Sequence, residues 1–327
     1  MTDGLRWGIL ATGGIAHAFT SDLKLNGFDV RAVGSRSQES ADAFAAEFDI
    51  PNAHPSYEAL AADPEVDAIY VSTPHPFHVE GATIALEGGK HVIVEKPFTI
   101  NEAQAREIAD LAASKGLLVM EAMWTRYLPH MVRIREIIAA GTLGEVRTLI
   151  ADHTQKLPED PNHRLNALEL GGGALLDLGI YPISFAWDLF GKPATIQATA
   201  TFKPTGADRQ TATIFGYEGD RIALTTSASD TKGPNVASVI GTEARIDIDA
   251  VWYTPTSFRV ISHDGSVIEE YDSEVNGRGM HYQAAALERL VAEGNLAGDI
   301  LPIEETVAIM GTLDAIRAQI GLRYPGE

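Results

Sequence analysis

Short apolar runs alternate with amphipathic stretches over the first 120 or so residues. LRWGILA, FDVRAVGS, VDAIYVSTP, KHVIVEKP and LLVMEAMW are near-continuous apolar runs of strand length, the pattern of strands covered on both faces. Between them lie helix patterns: one through Leu25, then SQESADAFAAEF, HVEGATIALEGG and NEAQAREIADLAASKG. Ser37 or Ser40 is placed to cap the second of these, and Gly88 and Gly89 to stop the third. Asn101 and Gln104 stand in capping-box positions on the fourth, which Gly116 ends. Strand and helix in alternation predict a parallel α/β sheet. After Trp124 the pattern changes. LPHMVRIREIIAAG reads as helix, GEVRTLIADHTQK as strand, and a helix lies near GALLDLGIYPISFAWDLFG. Six or so strand-like runs follow between Thr195 and Tyr271, and two helices close the chain near 280–293 and 303–320. Strands joined by hairpins and flanked by helices predict an open, mostly antiparallel sheet in an α+β domain. The boundary falls near residue 123, giving domains of 1–123 and 124–327, with the last helix (about 303–320) free to return to the first domain.

The first strand runs into WGILATGGIAHAF (7–19), a Gly-rich turn and helix start of the kind that holds a dinucleotide pyrophosphate. The fingerprint is imperfect: it aligns as Ala11-x-Gly13-x-x-Ala16, with alanine at the first glycine. Gly13 keeps the position where the backbone must approach phosphate, Gly14 adds freedom beside it, and Thr12 and Ile15 complete the turn. Taken alone, the stretch fits a plain βα turn equally well. The end of the second strand carries Ser35, Arg36 and Ser37 and no acid. A guanidinium and two hydroxyls suit a ribose 2′-phosphate, so NADP is preferred and NAD remains possible. A surface turn is the competing explanation.

VIVEKPFTINEAQA (92–105) is more specific. Glu95 and Lys96 end a buried strand, and Pro97 holds Lys96 extended. Lys96 therefore stands at the carboxyl end of a parallel strand, where such sheets bind ligands. In GGGALLDLGIYP (171–182), Asp177 and Tyr181 are four apart and share a helix face, and Pro182 should kink the helix beside Gly179. A core tyrosine with one bonded hydroxyl is the competing explanation for Tyr181.

Composition narrows the class. The 327 residues are 45% hydrophobic and 21% charged, with a formal net charge of −20 and no cysteine. Disulfides and thiolate chemistry are thereby excluded, and the charge disfavours nucleic acid and anionic membranes as partners. No apolar run reaches membrane length and the first strand leaves no room for a signal peptide, so a cytoplasmic protein is expected. Ten scattered histidines show no metal-binding spacing, and no metal is expected.

The stretch from STPHPFHVEGATIALEGGKHVIVEKP to EAMWTRY, with WGILATGGIA, resembles the Gfo/Idh/MocA oxidoreductases. It is closest to the branch containing dimeric dihydrodiol dehydrogenase and NADP-linked D-xylose dehydrogenase. The family pattern G-G-G-x-x-x-D-x-G-x-H/Y is met with Tyr181 in the last place. The resemblance implies an N-terminal Rossmann domain with an α+β partner domain. It further implies hydride transfer between NADP and an alcohol or carbonyl of a sugar, polyol or trans-dihydrodiol. Lys96, Asp177 and Tyr181 would be catalytic. A tyrosine with an unperturbed pKa of ~10 needs a nearby ammonium to act as base near neutrality, the part given to Lys96. Which of the two carries the proton stays open. Thr73, Pro74, His78, Glu95, Trp124 and Arg126 join the turn residues as candidate cofactor contacts, and His78 could equally be structural. His75 stands where the family more often has asparagine. Trp124, His153, Arg164, Trp252 and His281 are candidate substrate contacts, each with a folded-surface role as the alternative. A homodimer, or a dimer of dimers, is expected through the second sheet. A non-catalytic nucleotide-binding regulator is the other reading, and retention of Lys96, Asp177 and Tyr181 weighs against it.

Overall fold

The protein, seen in a computed structural model, is described over residues 4–327. Two compact units divide the chain. One runs to Trp124 and takes in Asn276–Met310; the other comprises Thr125–Val275 and Gly311–Glu327.

The first unit is built on six parallel strands: β1 (Arg6–Leu10), β2 (Asp29–Gly34), β3 (Asn52–His54), β4 (Ala68–Val71), β5 (His91–Glu95) and β6 (Val119–Ala122). Their order is β3-β2-β1-β4-β5-β6. The pattern of apolar runs marks five of these; β3 has three half-buried residues at the sheet edge, too few to show a period. The helices are α1 (Gly14–Leu25), α2 (Gln38–Phe48), α3 (Tyr57–Ala61), α4 (His78–Glu87) and α5 (Glu102–Lys115). Their starts follow from the sequence. The Ser37 hydroxyl accepts from Ser40 N at 3.2 Å, and the Asn101 side chain accepts from Gln104 N at 3.0 Å. Gln104 answers to Ile100 N (3.1 Å), one residue earlier than the usual box. Gly116, left-handed with φ 66°, ends α5. Strand order reverses between β1 and β4, so the ligand crevice of such a sheet lies outside their carboxyl ends.

The second unit opens with α6 (Pro129–Ala139) and β7 (Val146–Thr154). A π-helical turn, Leu175–Gly179, then leads into α7 (Ile180–Phe190). Seven strands follow: β8 (Thr195–Phe202), β9 (Asp208–Tyr217), β10 (Arg221–Ala228), β11 (Ala237–Gly241), β12 (Ala244–Ile248), β13 (Phe258–Ser262) and β14 (Val267–Tyr271). The eight strands lie in the order β14-β13-β12-β11-β7-β10-β9-β8. All neighbours are antiparallel except β7 and β10. α7 packs on β7 and β10. Its residues from Ile180 to Trp187 are all buried, so it is a core helix and not an amphipathic surface one.

The chain returns to the first unit with α8 (His281–Glu293) and begins α9 (Ile303–Ile320) there; the division between units falls after Met310. Asp22 of α1 anchors this return, accepting from Arg278 N (2.9 Å) and Met280 N (2.7 Å). Trp7 donates its indole N–H to Glu288 at 2.9 Å. Among the described residues no helix is long and apolar enough to cross a membrane.

Candidate active site

In the first unit the crevice is lined by four strand ends. After β1, Ala11 donates its N–H to Gly34 O at 2.9 Å and holds a left-handed φ of 79°. That conformation costs an alanine about 1 kcal/mol more than a glycine. The chain thus makes the tight turn without the usual residue. Thr12 follows, and Gly13 is the extended N-cap of α1. No side chain caps α1 and no acid stands in its first turn, so its free N–H groups and positive dipole end remain for an anion. A Cβ added at Gly13 or Gly14 would meet nothing within 4 Å. Protein packing therefore does not require glycine there.

At the end of β2, Ser35 is buried, and its N–H donates to His54 O at 3.2 Å. Arg36 is exposed and carries no ion pair or hydrogen bond among the described residues. Ser37 is engaged in capping α2, and its hydroxyl also lies 2.9 Å from Ser40 Oγ. Arg36 is therefore the freer of the expected 2′-phosphate contacts.

At the end of β4, Thr73 is buried with its hydroxyl unpartnered, and Pro74 opens a short 3₁₀ turn containing the buried His75. His78 is fully enclosed. Its Nε2 lies 2.8 Å from Thr73 O and its Nδ1 2.9 Å from Pro97 O. Burial lowers its pKa to about 4, so near neutrality the ring carries one N–H, which bonds one of these carbonyls while the other nitrogen packs against the second. It has no nitrogen left for a cofactor, which corrects its expected place among the contacts. At the end of β5, the buried Glu95 accepts from the Tyr70 hydroxyl and, at 3.2 Å, from Lys96 N. Glu95 thus faces inward and braces the peptide of the half-buried Lys96. The Lys96–Pro97 bond is cis. Phe98 N is held by Glu121 at 3.1 Å. Trp124, buried, closes the unit just past β6.

In the second unit, the disruption expected at Pro182 is absorbed as the π turn that carries Asp177 and ends at Gly179. Asp177 is buried and pairs with Arg164 at 3.5 Å. Tyr181, one turn on, meets His153 edge-to-face (centroids 4.8 Å apart) and lies 5.4 Å from the Tyr253 ring. Tyr253 stacks on His153 at 3.7 Å, and Gln155 bonds His153 Nε2 at 2.8 Å. The structure therefore gathers Asp177, Tyr181, His153 and Arg164, and adds Tyr253 and Gln155, which the sequence reading missed. Gln155 was findable, because it stands two residues after His153, just past the end of β7, where the strand alternation still sets it on the same side. Tyr253 was not, because its contacts with His153 and Tyr181 join distant parts of the chain and no local pattern marks them.

Three assignments are corrected here. Trp252 is completely buried, with its indole N–H on Asp152 O (2.6 Å) and its ring stacked on Phe185 (5.3 Å). It is core. Arg126 is 2% exposed and bound to α7 through Ser184 Oγ (3.0 Å), Ser184 O (2.7 Å) and Asp188 (3.0 Å). Its guanidinium is held by α7 of the second unit. His281 lies in the first unit, 3.1 Å from Asn26 at the carboxyl end of α1. Twelve helical residues separate that end from the phosphate turn, about 18 Å at 1.5 Å per residue.

A Rossmann sheet with an uncapped helix N-terminus at its switch point, joined to a sheet domain carrying a Tyr–Asp segment, defines an oxidoreductase with a nicotinamide-dinucleotide fold. Comparison with known proteins agrees. The profile "Oxidoreductase family, NAD-binding Rossmann fold" matches residues 5–123, and "GFO/IDH/MocA C-terminal domain" matches residues 131–247. Mouse trans-1,2-dihydrobenzene-1,2-diol dehydrogenase is 35% identical over 332 residues, 99% of each chain. D-xylose 1-dehydrogenase (NADP(+)) of Hypocrea jecorina is 34% identical over 365 residues, covering 98% of this chain and 93% of that protein. Among solved structures, the 3-ketoreductase KijD10 of Actinomadura kijaniata shares the fold, with a TM-score of 0.83, 24% identity and coverage of 97% and 98%. The chain belongs to the Gfo/Idh/MocA oxidoreductase family.

Proposed function

We propose that the chain is an NADP-dependent dehydrogenase or reductase acting at an alcohol or carbonyl carbon of a sugar, polyol or trans-dihydrodiol. The observation that carries the cofactor preference is Arg36. It is an unpaired guanidinium two residues past β2, where an NAD-selective sheet places an acid. The uncapped α1 N-terminus would hold the pyrophosphate, and Arg36 the 2′-phosphate. When bound, the nicotinamide supplies the hydride acceptor or donor. The rest falls to side chains. Tyr181 exchanges the proton of the substrate hydroxyl, Lys96 contributes the ammonium that makes its deprotonation accessible, and Asp177 with Arg164 orients the hydroxyl. The Lys96–Tyr181 partnership is drawn from the family pattern of the two motifs. The names of the two curated relatives support the substrate class.

The purified protein is expected to reduce NADP in the presence of an aldose, polyol or trans-dihydrodiol, read by absorbance of the reduced cofactor. Arg36→Ala should weaken NADP roughly 10- to 100-fold, the worth of one charge-assisted contact of ~1.5–3 kcal/mol, and leave NAD binding unchanged. Turnover with NAD at or above that with NADP in the unaltered protein would refute the preference.

A homodimer belongs to the same proposal. On the sheet face away from α7, Ile150, Leu224 and Ile214 lie directly opposite one another across β7, β10 and β9. They are 49%, 38% and 45% exposed. Such an apolar row is self-complementary under a twofold axis. Sedimentation should give a dimer for the native chain and a monomer for Leu224→Arg; a monomeric native chain removes the claim.

A further inference from the structure

The segment bearing Asp177 and Tyr181 begins at GGGA, which offers no serine, threonine or acid to cap it. The cap comes from elsewhere. Asp208, the first residue of β9, is fully buried, and its Oδ2 accepts from Leu175 N (2.8 Å) and Thr211 Oγ1 (2.9 Å). Its Oδ1 is buried with no hydrogen-bond partner. The approach is close enough to dictate sequence. Gly173 has φ +138°, and a Cβ there would lie 2.1 Å from Asp208 Oδ1. Tyr324 braces the same glycines, donating to Gly172 O at 3.2 Å.

We propose that Asp208 is a positioning residue for the reaction: its carboxylate anchors the start of the π turn and thereby sets Asp177 and Tyr181. A half-satisfied buried carboxylate is a poor choice for stability alone. Its place at the start of the segment that carries Asp177 and Tyr181 points to function. Burial raises the Asp208 pKa to about 6, opposed by its bonds to Thr211 and Leu175 N and by Lys203. The ionisable groups that act on it are Lys203 from the β8–β9 turn and Tyr324, and Asp177 on the π turn acts in turn on both of these. Arg209 and Asp230 act on Lys203. A carboxyl whose folded pKa is raised contributes most to stability below its unfolded value near 4, and that contribution is lost as pH rises through about 6. Above pH 6 the helix start is held by a charge that the fold tolerates at a cost. On protonation, the charge that strengthens both bonds is gone.

The test is the pH dependence of kcat for Asp208→Asn, which keeps an acceptor oxygen but no charge, taken as a ratio to the native enzyme so that shared ionisations cancel. The native enzyme should be roughly 3- to 10-fold faster at pH 8, the ratio falling to one below about pH 5. The Asn variant should melt higher than native at pH 8 and equally at pH 4. Asp208→Ala should lose roughly 10- to 100-fold in kcat with KM for the dinucleotide unchanged. A flat ratio across pH, a lower melting temperature for the Asn variant at pH 8, or native kcat in the Ala variant would each overturn the proposal; if the Ala variant does not fold, the Asn profile decides. It rests on Tyr181 being the acid–base group. Tyr181→Phe with native turnover would remove that assignment, whereas an inactive Tyr181→Phe beside a flat Asp208→Asn ratio removes only the role of Asp208.

Discussion

Tyr181→Phe is expected to lower kcat by roughly 10²- to 10⁴-fold, the range for a lost general acid–base group, with the fold intact. The substitution removes one oxygen and keeps the ring that packs on His153 and lies beside Tyr253. The aromatic cluster therefore survives, and circular dichroism and melting temperature should be near native. Lys96→Met should produce a loss in the same range. Its backbone stays anchored through Glu95, so the strand-end turn is not expected to move. The double variant is the sharper measurement. If the two side chains serve one proton, the double loss should exceed the worse single loss by less than about tenfold, because groups that act as a unit are not additive. Full multiplication of the two losses would show separate roles. Near-native turnover in both single variants would end the scheme.

Arg126→Met is expected to destabilise the protein by about 3 kcal/mol, the lower end for breaking a buried ion pair, because Asp188 keeps its bond to Arg135 at 2.9 Å. The methionine fills much of the volume but leaves the Ser184 hydroxyl and carbonyl, and one carboxylate oxygen, without their donor. Urea unfolding should show the loss, and cofactor affinity of the folded fraction should not change. A residue lining the nicotinamide pocket would behave oppositely. If stability held and the dinucleotide bound tenfold more weakly, the assignment of Arg126 to the packing of α7 would be wrong.

The contrast between these two residues shows where sequence reasoning carries. EKP after an apolar run is a local pattern, and Lys96 does follow the end of β5. The same holds for Ser37 and Asn101, whose caps depend on backbone groups three residues away. Arg126 follows a strand end just as Lys96 does, yet its partners, Ser184 and Asp188, are some sixty residues further on. Nothing nearby in the chain announces them. Trp252 and His281 depart from expectation for the same reason, since burial against Phe185 and attachment to Asn26 are properties of the packed unit. The glycine triplet is intermediate. GGG predicts an unusual backbone, but the carboxylate that forbids a Cβ at Gly173 arrives from Asp208, thirty-five positions later.

Periodicity and short motifs were enough to assign the alternating parallel unit and the mostly antiparallel sheet, and to set Lys96 just past a strand end and Asp177 and Tyr181 on one helical segment, because these rest on patterns within a few residues. The enclosure of His78, the locking of Arg126 onto α7, the ring cluster of His153, Tyr181 and Tyr253, and the remote cap by Asp208 were decided by tertiary structure. Each depends on which buried polar groups the packed chain brings within hydrogen-bonding or van der Waals reach. Burial obliges such groups to find partners wherever they lie in the sequence.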